Sequence, residues 1–390
     1  MNINSLRRMD RWFGPALLAV LAPIARGLGA LLGNRTGTAP GPIGEAKCCV
    51  FLKLKGGGSL IIALPALLAL RRAAPYSTFI LVCTAETKVY AELTGLFDRY
   101  SIITDRSLAS VAWSGLKALK SALWPDIFID LEPNSILASV FTILSLAPRR
   151  IGLVKFEEQY RAVSYTDALS WNLHAPVYVY YDQLAGLLGA TPLPVADCRE
   201  EVMKHIAKKA RTSETMPSIG LAPFTSDYAG QRMMPVEVWV KLLQDYLDEK
   251  AVRFHIIGSA KNIIAADKFA TQLAGDMPGS EVINICGQRS IAEVCADLLT
   301  MDEVWTVDSG LLHVTRLLGV KCRSFWGPTK PSQRLRPIPD LRETTVYNNF
   351  LCSPCAHSDS PPPCRGNNLC MKTIADANPD RMPIWNIGTG

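Results

Sequence analysis

Charge is scarce in the body of this chain. Of its 390 residues 19% are charged, and the formal net charge is +6. Residues 1–35 hold five arginines (Arg7, Arg8, Arg11, Arg26, Arg35) against one acid, Asp10, so +4 of that +6 lies there and only +2 is spread over the rest. No basic stripe remains to follow a phosphate backbone, which argues against a nucleic-acid partner. Long apolar runs are missing too. The N-terminal run 13–24 has twelve residues, whereas a spanning helix needs about 20. The common nucleotide-loop signatures are absent: Gly56-Gly57-Gly58-Ser59 is followed by no Gly-Lys-Ser/Thr and lacks the G-x-G-x-x-G spacing. An odd cysteine total of eleven, seven of them scattered, argues for a reducing compartment.

What is present is apolar material for sizeable cores, 48% of residues, over a length that suits two to three domains. The segment 1–46 reads as a unit apart. Arg7, Arg8, Arg11 and Trp12 beside an apolar stretch suit a helix lying in the headgroup region of an anionic membrane. A signal peptide, a spanning helix and a helix packed on a domain are the competing readings. Pro15 and Pro23 weaken a single long helix there, and 34–46, rich in Gly, Pro and Thr, reads as a linker.

Beyond it, strands alternate with helices twice. Strand patterns at 48–54, 78–83, 100–104 and 127–131 flank helices at 59–72, 86–97 and 108–122, with Ser59 as a helix N-cap. The pattern blurs over 155–215, where helices near 177–188 and 200–210 are expected to join the halves. It restarts at 218–222 and continues through 321–326. The expected fold class is α/β, with a Rossmann-like doubly wound domain at 47–195, a second at 196–345, a Cys-containing tail at 346–390, and ligands in the cleft between the domains at strand carboxyl ends.

Four strand-to-helix turns carry candidate chemistry, one of them weakly. In 304–313 an apolar strand ends at Asp308 and a helix opens at Ser309-Gly310, with His313 in its first turn. Free N–H groups and the positive dipole end there suit a diphosphate; simple capping is the bland alternative. The loop 223–232 offers Thr225, Ser226 and Arg232 to phosphate oxygens, and Gly258 marks a weaker turn. On the N-terminal side Lys55, Gly56, Gly57, Gly58 and Ser59 form a loop whose glycines permit close approach of a ligand. In the tail, Cys352, Cys355, Cys364 and Cys370 are spaced C-x2-C-x8-C-x5-C around His357. A structural Zn²⁺, disulfides and packed thiols all stay open for them.

Together, FLKLKGGGSLIIALPALLALRRAAP at 51–75, IFIDLEP at 127–133, LAPFTSDYAGQRMMPVEVW at 221–239, VDSGLLHVTRLLGVKCRSFWGPTKP at 307–331 and the later cysteines resemble glycosyltransferase family nine, the ADP-heptose:lipopolysaccharide heptosyltransferases and their relatives. The resemblance implies a GT-B arrangement of two domains and metal-independent, inverting transfer with no cofactor. The sugar, heptose among the options, would pass from a nucleotide-diphosphate donor to a lipopolysaccharide or other surface-glycan acceptor, at the inner face of the cytoplasmic membrane with 7–33 as the membrane contact. Carried over by position, Asp308, Ser309, Gly310 and His313 would hold diphosphate and ribose, Thr225 and Ser226 phosphate oxygens, and Arg232 stands where the family usually has Lys. The family's first loop ends Gly-Asp, and that Asp is its base; here the position is Ser59, which is not basic at neutral pH. Asp130 and Glu132 are the substitute base candidates, and an inactive nucleotide-sugar binder or an epimerase on the same architecture are the alternatives.

Overall fold

A computed structural model describes residues 3–31, 41–209, 216–225, 230–247, 250–356 and 364–376. Residues 34–40 of the expected linker, Ser226 and His357 lie outside the described residues. The chain divides into two compact units, Met1–Pro194 and Val195–Gly390.

The first unit runs α1 (Ile3–Leu31), β1 (Cys48–Lys53), α2 (Gly57–Ala73), β2 (Thr78–Cys83), α3 (Ala85–Thr94), β3 (Arg99–Ile102) and α4 (Leu108–Ser121). It continues with β4 (Ile127–Asp130), α5 (Ile136–Leu144), β5 (Arg149–Lys155), β6 (Asp167–Trp171) and α6 (Val177–Leu187). All its strands are parallel, in the order β3-β2-β1-β4-β5-β6. Strands such as CCVFLK and TFILVC are apolar on both faces because helices cover both sides. Val50, Leu52, Val82 and Phe128 pack with Ala118 of α4 and Ala138 of α5. Phe51 and Phe79 point to the opposite side, ring centroids 5.0 Å apart. The order reverses between β1 and β4, so a crevice for ligand is expected at the C-terminal ends of those two strands.

The second unit runs α7 (Val195–Met203), β7 (Ser218–Ala222), α8 (Val236–Leu247), β8 (Arg253–Ile256), α9 (Ile263–Asp276), β9 (Glu281–Asn284) and α10 (Ile291–Leu298). It continues with β10 (Glu303–Val307), α11 (Gly310–Leu318), β11 (Cys322–Trp326), α12 (Pro331–Arg334), β12 (Glu343–Tyr347) and α13 (Leu369–Lys372). Its parallel sheet repeats the same winding, β12-β11-β10-β7-β8-β9. Trp239, Trp305 and Phe325 form its aromatic core, with Phe325 5.3 Å from Trp239 and 5.6 Å from Trp305 between ring centroids. The reversal falls between β7 and β10, which makes the loops after Ala222 and Val307 neighbours.

Several sequence expectations are corrected. α1 is one unbroken helix despite Pro15 and Pro23, because tertiary packing rather than propensity holds it. Leu18, Ala22 and Ala25 pack on Ile136, Val140 and Ile143 of α5. A Cβ on Gly14 would sit 2.8 Å from Ile136, so the two helices touch backbone to side chain there. Asp10 caps α5 by accepting from the amides of Ile136 (2.9 Å) and Leu137 (2.7 Å). By length and composition residues 10–29 would suffice to cross a membrane, yet α1 is docked along α5. Ser59 is not the cap of α2. Gly56 is, at φ +88°, and the Ser59 hydroxyl donates back to its carbonyl at 2.6 Å. The end of the expected linker is packed, with Ile43 buried and its amide donating to Leu188 at 2.9 Å. An unforeseen strand, β5, ends where the blurred stretch begins; that stretch holds a 3₁₀ segment and β6, and α6 packs on α2 within the first unit rather than joining the halves.

Candidate functional site

In the second unit the β7 and β10 ends bring the expected residues together around Asp308. This carboxylate is 3% exposed. Its Oδ2 lies 3.2 Å from Arg232 Nη1, which also donates to the Asp308 carbonyl at 3.0 Å. Burial pushes the Asp308 carboxyl up, but Arg232, Arg334 and His313 pull it further down, so it stays below the ordinary carboxylate range and is charged. Arg232 carries the mirror-image balance. Burial and Arg334 lower its pKa against the support of Asp308. Arg334, at the end of α12, is therefore a second cation of the site that sequence reasoning passed over. Its only signal was the Gly-Pro-Thr-Lys-Pro turn that returns the chain to the strand ends.

Ser309 caps α11, its hydroxyl accepting from the Leu312 amide at 3.4 Å and lying 3.3 Å from the Thr306 hydroxyl. The first-turn amides of this nine-residue helix precede any i→i−4 acceptor. His313 is 7% exposed, with Nε2 3.8 Å from Asp308 Oδ1. Burial drives its pKa from 6.5 to about 3, so the ring is neutral. Thr225 is half-buried in the loop after β7. Gly258 serves packing: a Cβ there would meet Cys286 Sγ at 2.8 Å and the Phe224 ring at 3.0 Å.

A depressed histidine fixes a pH dependence. The unfolded chain binds the His313 proton below about 6.5 and the folded one does so only near 3, so stability is complete above 6.5 and falls as pH drops through that window. The expected loss between pH 7 and pH 4 is about 3 kcal/mol. Denaturant titrations at both pH values should show a shallower loss in His313→Gln; equal losses in both proteins would contradict this.

In the first unit the β1 and β4 ends place the other candidates, and they divide. Glu132 Oε1 accepts from the Leu54 amide (2.7 Å) and the Lys55 amide (2.9 Å) and lies 3.3 Å from Lys53 Nζ. Lys53 Nζ also donates to the Leu131 carbonyl at 3.1 Å. From the other side, the hydroxyls of Thr84 and Thr87 donate to the Leu54 carbonyl at 2.6 and 2.9 Å. The glycine loop is thus clamped at its root. Gly57 is fixed by space, since a Cβ would fall 2.1 Å from the Tyr90 ring. Asp130 is 1% exposed. It accepts from the Glu132 amide at 2.8 Å and from the Tyr165 hydroxyl at 2.6 Å, and burial pushes its pKa up to about 6. Buried Arg161 closes this network onto Ser139 and Glu158 at 2.8 and 2.9 Å. Sequence reasoning missed Asp105 in the loop after β3. Its carboxylate is 45% exposed and lies 3.1 Å from Lys55 Nζ.

In the tail the four thiols feel one another. Burial first, then the neighbouring thiols, raise Cys355, and the same causes push Cys370 up to about 11. The amides of Asn368, Gly366 and Asn367 hold Cys364 below the usual thiol range. Among the described residues no three His, Cys, Asp or Glu side chains converge closely enough to hold a metal ion.

A family model for glycosyltransferase family 9 (heptosyltransferase) matches residues 116–364, reaching from α4 to the tail. The chain belongs to glycosyltransferase family 9. Lipooligosaccharide heptosyltransferase 2 of Campylobacter jejuni is 28% identical over 94 residues, which are 24% of this chain and 28% of that protein. The chain therefore matches little more than a quarter of that relative's length. The family 9 glycosyl transferase from Veillonella parvula has the same fold at 18% identity, with a TM-score of 0.60 over 77% of this chain and 85% of that one. E. coli heptosyltransferase WaaC, solved with ADP-2-deoxy-2-fluoro heptose, gives 0.60 at 15% identity over 84% and 97%. The two doubly wound units are thus the α/β halves of a GT-B-type fold. The family match begins beyond the glycine loop.

Proposed function

We propose that this family 9 chain transfers a sugar, heptose being the first candidate, from a nucleoside-diphosphate donor to a lipopolysaccharide or related surface-glycan acceptor. One observation carries the reading: two guanidiniums and the N-terminus of α11 gather around one buried carboxylate at the β7/β10 switch point. That arrangement suits the charge of a diphosphate, both bound and leaving. Arg232, Arg334 and the Ser309–Leu311 amides take the phosphates, and Asp308 positions Arg232. Neutral His313 is suited to a hydrogen bond with the donor. Thr225 and Ser226 supply hydroxyls from the loop after β7. No metal ion or cofactor is required for this chemistry, because the cations are the chain's own.

On the acceptor side we infer that Glu132 and Asp130 are positioning residues. The first holds the glycine loop; the second is locked in a buried network. Asp105, exposed and tied to Lys55 at the root of the loop, is the carboxylate we assign as base for the acceptor hydroxyl. The enzyme works in the cytoplasm beside the inner membrane face, with α1 as its lipid contact. The four tail cysteines do not converge on a metal ion among the described residues, so we propose that they are packed thiols without metal. Full-length protein should then carry no zinc and four freely titrating tail thiols; about one zinc per chain, lost in Cys364→Ser, would contradict this.

Transfer is tested by nucleoside-diphosphate release from ADP-heptose with and without a lipooligosaccharide acceptor. Release that requires the acceptor is the expected result. The serine in place of the family's loop carboxylate favours a second reading, a nucleotide-sugar binder without turnover. Saturable ADP binding with no release over a panel of acceptors would establish that instead.

A further inference from the structure

The side of the first unit's sheet that α4 and α5 cover carries two apolar surfaces without a partner among the described residues. The first belongs to α1. With Gly14, Leu18, Ala22 and Ala25 turned to α5, the helix leaves Trp12, Phe13, Leu17, Val20, Ile24 and Leu28 exposed. Between Arg11 and Leu31 its only charges are Arg11 and Arg26, and its single acid, Asp10, is buried as the cap of α5. The second surface belongs to α4. Ala118 and Ala122 face the sheet, so the opposite row, Leu108, Trp113 and Leu116, stands 52%, 64% and 64% exposed. Lys117 and Lys120 flank that row, Lys117 Nζ lies 5.1 Å from the Trp113 ring centroid, and α4 has no acid at all. A capping box at Ser107 and Ser110 fixes the helix independently of its outer face.

Apolar rows with tryptophan at the edge, cations at the rim and no acid exposed on either helix match one surface chemistry, the interface of an anionic bilayer. A soluble partner of acidic character would match the lysines but not nine exposed apolar side chains. We infer that α4 is a second membrane contact of this enzyme. With α1 it sets the α4–α5 side of the first unit flat on an anionic bilayer, so that the strand ends and glycine loop face along the membrane, where a lipid-linked acceptor presents its sugars. This rests on the membrane reading of α1 given under Proposed function and deepens it.

The test is co-sedimentation of the full-length protein with vesicles of phosphatidylglycerol and phosphatidylethanolamine, against phosphatidylcholine alone. The variant is Trp113→Ala/Leu116→Ala/Lys117→Gln/Lys120→Gln, all at exposed positions. The wild type is expected to bind the anionic vesicles. The variant should bind at least tenfold more weakly, given two lost lysines and the lost apolar row, with unchanged thermal stability and unchanged activity on a de-acylated acceptor. If the variant binds as well as the wild type while an α1 variant (Phe13→Ser/Val20→Ser/Ile24→Ser) does not, the α4 contact is overturned and the α1 contact survives. If the wild type ignores all vesicles, both fall. A wild-type dimer by light scattering that the α4 variant dissolves would overturn the inference in favour of a second copy of the chain.

Discussion

Arg232→Met is expected to lower transfer about 10²–10³-fold, the usual consequence of removing a preorganised donor from developing charge. The loss has two parts. The guanidinium no longer meets the leaving diphosphate, and Asp308, 3% exposed, is left without the partner 3.2 Å away. Removing one partner of a buried ion pair costs about 3–5 kcal/mol, so the second unit should also melt earlier. Arg232→Lys separates the two. Lysine keeps a cation beside Asp308 but not the planar guanidinium, whose Nη1 reaches both its carboxylate and its carbonyl. It should restore most of the stability and part of the turnover. Turnover within threefold of wild type in Arg232→Met, by steady-state assay, would move the phosphate site elsewhere.

Glu132→Gln and Asp105→Asn are expected to fail in opposite ways. Glu132 holds two backbone amides and the buried Lys53. Its loss of charge should destabilise the first unit by about 3–5 kcal/mol, as when one member of a buried pair is removed. Lys53→Met/Glu132→Gln should recover much of that. Asp105 is partly exposed and its ion pair with Lys55 lies near the surface, where such pairs contribute about 0–1 kcal/mol. Its asparagine variant should stay as stable as wild type while kcat falls about 10²–10⁴-fold, the range of general base catalysis, with donor KM unchanged. A fully folded, inactive Glu132→Gln together with an active Asp105→Asn would return the base to Glu132.

Much of this was legible in the chain. The two windings showed as alternating apolar strands and helices, and the turn at Asp308-Ser309-Gly310 lies at the switch point where a doubly wound sheet would put it. What escaped was whatever depended on tertiary partners. β6 is an edge strand with two of its five residues exposed and one buried, so it has little apolar pattern. β5 begins and ends in charges, Arg149, Arg150 and Lys155, that are paired only in the fold, for example Arg149 with Asp167 at 3.3 Å. α1 survives two prolines because α5 supports it. Nothing local distinguishes Glu132 the clamp from Glu132 the base, since the amides it holds come from residues 77 and 78 positions earlier. Arg334 and Asp105 lie outside any motif and reach their sites only through the sheet order.

The most direct measurement is thermal unfolding of the full chain with ADP, UDP, GDP and CMP, for wild type and Arg334→Met. A ligand at about 100 times its Kd adds roughly 2.7 kcal/mol. At about 2–4 °C per kcal/mol for units of this size, that is a shift of roughly 5–10 °C. One nucleoside diphosphate should give such a shift in the wild type and a clearly smaller one in Arg334→Met, with CMP giving little. No shift with any of the four, or equal shifts in both proteins, would contradict a nucleotide-sugar site at the β7/β10 strand ends.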